Sequence, residues 1–330
     1  MKTGIFIGRF QPAHPGHIEA ISKAAKQVDI LYVFIGSANT CRSIKNPWTY
    51  HERKNNLISL LKNDNINYLP INDYPYSDSQ WVADIRATAE YAGAKEPVLF
   101  GFEKKGNNYL KWFSDWKFVN VTSSYSGNAT EIRKHMYSHN WVYETQNKVC
   151  LPQVVLDDFA YYEKEAKLFA DYPFPETLNF NCGDAVLECQ GHILLIKRKI
   201  APGAGAWALP GGFRDHKDKT FLDCVLRELV EETNVRIPEK VLRGSIIKTE
   251  LFDYITRSYG IPRNTLAVYF RVNPNPDGSM PRVSPSDDAV ETKWFTLTDV
   301  INTVNLYDDH KGIISKLTGV MPMPAFVTIK

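Results

Sequence analysis

Over residues 1–145 short apolar runs alternate with helical repeats, and few folds accommodate that alternation. Residues 4–7, 30–35, 98–102 and 118–121 are short and rich in β-branched or aromatic side chains, which predicts strands. Between them residues 18–28 place Ile18, Ile21, Ala25 and Val28 on one helical face, and residues 50–62 and 81–91 carry further helical patterns. Strands separated by helices fit a parallel sheet with right-handed crossovers. A chain of 330 residues has room for a second domain, since domains usually run to about 150 residues.

Residues 154–170 repeat Val155, Phe159, Tyr162, Ala166 and Phe169 at helical spacing, with Pro152 before them and Pro173 and Pro175 after. This stretch reads as a helical linker, giving domains at 1–148 and 176–330 with the linker at 149–175. In the second domain residues 185–187 and 193–197 predict a hairpin about Gln190-Gly191. A glycine-rich loop follows at 202–212, then a strong helix at 221–233 and further strands, with an exposed loop at 273–286.

Charge and cysteine content narrow the function. Against 39 basic residues stand 37 acidic ones, so nothing argues for a nucleic-acid or membrane-surface binder. No apolar run approaches the roughly 18–20 residues that span a bilayer. The N-terminus reaches Gly8 and Arg9 too soon for a secretory segment. Five cysteines without a C-x-x-C pair fit free thiols in the cytoplasm, Cys224 as a small core residue.

Residues 8–17, Gly-Arg-Phe-Gln-Pro-Ala-His-Pro-Gly-His, follow the first strand and open the first helix. In parallel sheets ligands bind beyond the strand C-termini, and a helix N-terminus there presents N–H groups suited to phosphate. His14 and His17 add donors, and Arg9 adds a fixed positive charge. No Ser, Cys or Lys nucleophile is paired with a base in this segment. The pattern therefore fits direct phosphoryl-type transfer, driven by positioning and charge stabilisation.

This segment resembles the (H/T)-x-G-H motif of the nucleotidyltransferase superfamily and, more narrowly, the archaeal-type nicotinamide mononucleotide (NMN) adenylyltransferases. Three further stretches are similar to that family: Ile35-Gly36-Ser37-Ala38 with Lys45-Asn46-Pro47-Trp48-Thr49 and Glu52-Arg53; Trp81; and Ala129-Thr130-Glu131-Ile132-Arg133. Trp48 stands where the family has Phe, and Asn128 where it has Ser. The resemblance implies a Rossmann-like sheet and transfer of AMP from ATP to NMN, giving NAD and pyrophosphate, with Mg²⁺ arriving on ATP. It implies His14 and His17 at the α-phosphate, with Arg9, Lys45 and Arg133 neutralising phosphate charge. It further implies Thr130 at the triphosphate, Trp81 against the nicotinamide ring, and Gly8, Phe10, Gln11, Asn46 and Trp48 lining the substrate.

In residues 221–233, Phe221, Leu222, Val225, Leu226 and Leu229 form an apolar stripe, and Thr220 with Asp223 predicts a capping pair. Glu228, Glu231 and Glu232 lie on the other face at i, i+3 and i+4. Three such carboxylates repel one another unless a cation lies among them, and hard oxygen ligands suit Mg²⁺ or Mn²⁺. Two ions would polarise a diphosphate and generate hydroxide.

Leu209-Pro210-Gly211-Gly212-Phe213 and Arg227-Glu228-Leu229-Val230-Glu231-Glu232 resemble the Nudix box, G-x5-E-x7-R-E-U-x-E-E-x-G-U with U aliphatic. One extra residue between Gly212 and Arg227 puts the early glutamate at Asp218 or Lys219, and Asn234 replaces the late glycine. Lys197-Arg198-Lys199, Pro202-Gly203, Trp207 and Phe252-Asp253 with Arg257-Ser258 are similar to the Nudix half of fused NMN adenylyltransferase/Nudix proteins. That resemblance implies an α/β/α sandwich with a mixed sheet, and hydrolysis of ADP-ribose or a related nucleoside diphosphate derivative to AMP and ribose 5-phosphate. It implies Glu228, Glu231 and Glu232 on metal, the last two also catalytic, with Arg198, Trp207, Gly211 and Gly212 at the substrate. Trp207, Phe213 and Phe252 suit adenine stacking or the core equally, and the general base stays open among Asp287, Asp288 and Glu291.

The expectation is an α/β cytoplasmic enzyme whose partners are ATP, NMN, NAD and ADP-ribose, with no nucleic acid and no membrane. Homo-oligomer formation stays open. One rival makes the Nudix half a ligand sensor without turnover, motivated by the departure at residues 218–219. Another gives the transferase FMN or phosphopantetheine as acceptor.

Overall fold

The computed structural model describes residues 1–102, 108–139, 142–144, 148–286 and 289–329. They form two compact units: Met1–Gln153 with Met323–Lys330, and Val154–Pro322. Among the described residues no helix is long and apolar enough to cross a membrane.

In the first unit β1 (Thr3–Gly8), β2 (Ile30–Ile35), β3 (Ile66–Pro70), β4 (Val98–Gly101) and β5 (Lys117–Asn120) make a parallel sheet in the order β3-β2-β1-β4-β5. With it go α1 (Pro15–Ala25), α2 (Tyr50–Leu61), α3 (Asp78–Tyr91) and α4 (Ala129–His139), while β6 (Tyr143–Glu144) and β7 (Lys148–Val149) pair separately. Successive strand residues face opposite ways. Ile5, Phe34 and Leu99 pack with Ile85 and Phe113, whereas Phe6, Val33 and Phe100 pack with Ile21, Ala24 and Leu57. Strand order reverses at β1, which has β2 on one edge and β4 on the other. A crevice therefore opens beyond the C-terminal end of β1, where residues 9–14 run. Strand β3 went unrecognised in the sequence, because besides its closing proline it has a single buried apolar residue, Ile66. Pro70 is tolerated there because β3 is an edge strand.

The second unit opens with α5 (Gln153–Leu168). Its mixed sheet holds β8 (Phe180–Cys189), β9 (His192–Arg198), β10 (Trp207–Ala208), β11 (Gly211–Phe213), β12 (Ile246–Phe252), β13 (Arg263–Val272) and β14 (Ala289–Thr296). Only the long β8–β13 pairing is parallel among these described strands. Gln190 and Gly191, both at positive φ, turn β8 into β9 at the expected hairpin. α6 (Phe221–Thr233) lays Val225, Leu226 and Leu229 against Ala185, Leu187, Val268 and Phe270. Shorter helices α7 (Glu239–Gly244), α8 (Leu297–Asn302) and α9 (His310–Thr318) follow, and α10 (Ala325–Thr328) belongs to the first unit.

The division differs from the sequence expectation at two places. α5 is no free linker: Asp158 Oδ1 accepts from Gly203 N at 2.8 Å, Tyr162 and Tyr307 hydroxyls meet at 3.3 Å, and Glu165 pairs with Arg263. Residues 323–330, counted from sequence with the second domain, join the first unit. Leu229 is fully buried under the second sheet. Leu229→Ala is expected to cost that unit about 2–5 kcal/mol, read as a lower denaturant midpoint for its transition with the first unit's transition unmoved.

Two candidate active sites

His14 caps α1 and Pro15 occupies its first turn, so the chain leaves β1 and enters the helix within seven residues. The His14 and His17 rings stack at 3.7 Å, with Tyr125 against His14 at 5.2 Å and the Phe10 ring edge-on to His17 at 5.0 Å. The His14 N–H points to His17 Nδ1 at 3.4 Å, which leaves the proton of a neutral His17 on Nε2. Arg133, one turn into α4, donates to the Gln11 carbonyl, and also to Thr130 Oγ1 at 3.4 Å. Asn128 Oδ1 accepts from Glu131 N at 3.0 Å, so this amide caps α4. Thus the two expected phosphate motifs meet.

Arg53 was not expected as a site residue, yet it organises this crevice. It is 3% exposed. Its guanidinium donates to the carbonyls of Arg9 (2.6 Å), Gly36 (2.6 Å), Ser37 (3.0 Å) and Thr49 (3.2 Å). Burial lowers its pKa to about 10, opposed chiefly by the charge of Asp73, so it stays cationic at neutral pH. Tyr125 was missed as well. Its segment is tied to α1 by Glu19, which accepts from Ser123 Oγ (2.7 Å) and Ser124 N (3.0 Å). Lys23 first, then these serines, hold the Glu19 carboxyl down at about 2.

The other expected residues divide. The Arg9 side chain is exposed while its carbonyl is held. Lys45 and Asn46 lie on a loop closed by the Ser43–Asn46 turn and joined to α4 by Tyr137 Oη on the Ile44 carbonyl at 3.1 Å. Trp81, half-buried on α3, has the Tyr109, Trp112 and Phe113 rings edge-on at 6.1–6.2 Å. Phe10, Gln11 and Trp48 turn inward. Phe10 lies in the core. Gln11 brackets the Trp48 backbone at 2.8 and 3.1 Å, and Trp48 packs on Ile132 and Met136. Gly8 leaves no room for a Cβ, which would come within 2.6 Å of the Phe10 ring.

In the second unit a cavity of about 490 Å³ is lined by Asp184, Arg198, Gly211, Gly212, Arg227, Glu228, Glu232 and His310 among others. β11 runs close under α6: a Cβ at Gly212 would meet the Glu228 carboxylate at 2.7 Å, and Gly211 N donates to Glu232 Oε2 at 2.8 Å. Burial raises the pKa of Glu228 and pushes Glu232 up to about 8, with Glu228 and Asp184 adding repulsion at Glu232. Arg227 grips Asp218 twice (3.0 and 2.9 Å), Glu228 at 2.7 Å, Glu231 at 2.8 Å and the Phe213 carbonyl at 2.9 Å. Of the two candidates for the early glutamate, Asp218 is buried and paired whereas Lys219 is exposed. Asn234 takes the left-handed conformation at the end of α6, where a glycine was the pattern.

Arg198 lies 4.5 Å over the Tyr307 ring and donates to the Pro202 carbonyl at 2.7 Å. Trp207 is not among the residues lining the cavity; it meets the Phe295 ring at 4.7 Å and Lys197 at 5.8 Å. Phe252 is core, whereas exposed Phe213 lines the cavity. Asp287 and Asp288 lie outside the described residues, and Glu291 faces Lys197 at 4.0 Å. Two wall contacts were not expected: His310 Nδ1 accepts from Leu209 N at 2.9 Å, and Arg257, quoted from sequence only for its resemblance, forms a buried two-bonded pair with Asp309 at 2.9 Å. Among the described residues no group of three His, Cys, Asp or Glu side chains is arranged to share one ion.

Residues 5–119 match the cytidylyltransferase-like family and residues 183–317 match the NUDIX domain. The nicotinamide/nicotinic acid mononucleotide adenylyltransferase of Acinetobacter baylyi is 32% identical over 140 residues, 40% of this chain and 74% of that protein. The nicotinamide-nucleotide adenylyltransferase of Methanococcus maripaludis is 37% identical over 143 residues, 41% of this chain and 78% of that protein. The crystal structure of a bifunctional NMN adenylyltransferase/ADP ribose pyrophosphatase from Francisella tularensis superposes with a TM-score of 0.84 at 28% identity, covering 96% of this chain and 98% of that one. A second Francisella structure, complexed with AMP and a Mn ion, gives 0.83. Fold and motifs define a nucleotidyltransferase domain and a NUDIX domain carried on one chain. The chain belongs to the nicotinamide-nucleotide adenylyltransferase family, in a two-domain form like the Francisella protein.

Arg53→Met removes the side-chain donor from the Arg9 and Gly36 carbonyls and one of two donors from those of Ser37 and Thr49. It is expected to cost the first unit about 3–5 kcal/mol, with Arg53→Lys recovering part of the loss, as read from the first unit's unfolding transition.

Proposed function

We propose that the chain is a bifunctional enzyme of NAD metabolism. In the first unit an oxygen of the NMN phosphate attacks the α-phosphorus of Mg²⁺-bound ATP, and pyrophosphate leaves as NAD forms. The observation that carries this reading is the stacked His14–His17 pair at the start of α1, joined through Arg133 and the Gln11 carbonyl to the start of α4. His17 Nε2–H and His14 stabilise charge on the α-phosphate, while Arg9, Lys45, Arg133 and Thr130 take the remaining phosphate oxygens. Gly8 and Asn46 line the path, and Trp81 offers its ring to the cationic nicotinamide. Phe10, Gln11 and Trp48 hold the loops from beneath.

In the second unit water cleaves the diphosphate of ADP-ribose or a related nucleoside diphosphate derivative, giving AMP and ribose 5-phosphate. The carboxyls of partly buried Glu228 and buried Glu232, each raised by burial and by neighbouring carboxylates, fit a divalent cation. Glu228, Glu231 and Glu232 would hold Mg²⁺ or Mn²⁺, which when bound supplies Lewis-acid polarisation and a hydroxide source. Arg227 bonds both Glu228 and Glu231 here, so these carboxylates would have to exchange that partner to hold a cation. Arg198 and the β11 backbone at Gly211 and Gly212 face the cavity and orient the substrate. Trp207 supports β10 and β9 rather than the ligand. Free cysteines and nucleotide substrates suit the cytoplasm.

Purified protein given ATP, Mg²⁺ and a panel of NMN, nicotinate mononucleotide, FMN and phosphopantetheine is expected to release pyrophosphate with a pyridine nucleotide. Release with neither pyridine nucleotide would refute the transferase reading. His17→Ala should lower NAD formation about 100-fold without touching AMP release from ADP-ribose. Glu232→Gln should do the reverse, abolishing AMP release and sparing NAD formation. Binding of ADP-ribose without turnover by the parent chain would instead favour a sensor.

A further inference from the structure

The chain completes its first unit after it has built the second. At the exit of β3, Asn72 Nδ2 donates to the Met323 carbonyl at 3.0 Å, and Asn72 N donates to Asp84 Oδ2 of α3 at 3.0 Å. Ala325, fully buried, donates its N–H to the same Asp84 carboxyl. Phe326 stacks on Tyr91, the last residue of α3, with ring centroids 4.3 Å apart and planes within 15°. Ile329 packs against the core beneath β1 and β2. The returning segment therefore grips α3 at its middle and at its end. Trp81 stands one turn before Asp84. The next residue after Asn72, Asp73, accepts from Ser37 N at 3.2 Å on the crevice loop.

We propose that Met323–Ile329 is a positioning segment for the pyridine mononucleotide, fixing the angle of α3 and through it the Trp81 ring. This rests on the transferase reading above. Beside the hold that Arg86 of α3 has on Asp115 and the Trp112 carbonyl, the segment adds two further points, and such points keep an aromatic ring within the narrow tolerance that stacking requires. The effect falls on the mononucleotide side, because the phosphate-binding loops have their own anchor in Arg53.

The test compares the full chain, a chain ending at Pro322, Phe326→Ala and Phe326→Tyr. Truncation and Phe326→Ala should raise the KM for NMN roughly tenfold, the equivalent of about 1.4 kcal/mol, and move the KM for ATP by less than about twofold. Amide exchange should quicken in α3 and stay unchanged in α6. Phe326→Tyr, which keeps the stacked ring, should behave as the parent, and AMP release from ADP-ribose should be equal in all four. A merely structural segment would instead lower the active fraction, or shift both KM values together, and either result overturns the proposal. Unchanged α3 exchange overturns it too, even where truncation impairs folding. A full chain that makes no NAD refutes the transferase reading, and this inference with it. A full chain that makes NAD with a KM for NMN indifferent to the segment refutes this inference alone.

Discussion

A guanidinium surrounded by oxygen atoms pins the segments that carry them, and in each unit one such group, buried Arg53 or partly exposed Arg227, decides where the loops can go. Arg53 is met by four main-chain carbonyls, drawn from the segments after β1 and β2 and from the cap of α2. It adds to the ties those segments make elsewhere, such as Gln11 on the Trp48 backbone and Ser37 N on Asp73. Gathered on one cation, they present Arg9, His14 and the Ser37 turn around a single crevice. Leaving any carbonyl buried without its donor costs about 1–3 kcal/mol, so the arrangement is strongly preferred over a loose one.

Arg227 plays the corresponding part in the second unit with a different class of oxygen. It is met by the carboxylates of Asp218, Glu228 and Glu231 and by the Phe213 carbonyl, which folds the loop after β11 back onto α6. The contrast has electrostatic consequences. Carbonyls do not neutralise Arg53, whose charge is offset only in part by Asp73, so the first site is organised around a retained cation. Carboxylates do offset Arg227, and behind it Glu232 remains as a buried acid pushed up to about 8. A near-neutral chain of 39 basic and 37 acidic residues thus carries two locally opposite surroundings.

Legibility in the sequence followed how locally each feature is determined. Glu228, Glu231 and Glu232 share a helix face by spacing alone, and His14 and His17 sit one turn apart for the same reason. The hairpin at Gln190-Gly191 and the cap at Asn234 were equally local, since each depends on a residue that tolerates positive φ. Aromatic residues were not legible in this way. Phe10, Trp48 and Phe252 serve the core, whereas Phe213 and Trp81 keep part of their surface open, and nothing in their neighbours along the chain separates the two outcomes. Helix α5 read as a linker because prolines flank it, yet the partners of Asp158, Tyr162 and Glu165 lie far along the chain, at Gly203, Tyr307 and Arg263.

By itself the sequence determined the two chemistries and their order, because both signatures are local patterns of turn, helix start and helix face. It also determined the alternating parallel sheet of the first unit. Only the tertiary structure decided that Asp218 rather than Lys219 braces Arg227. It alone decided that Arg53 ties the crevice together, that His310 and the Arg257–Asp309 pair form the second wall, and that the last residues return to α3. Apart from Asp218–Arg227, nine residues apart, each of these is a contact between residues distant in the chain. Such contacts depend on which strands become neighbours, and residue spacing along the chain does not encode that.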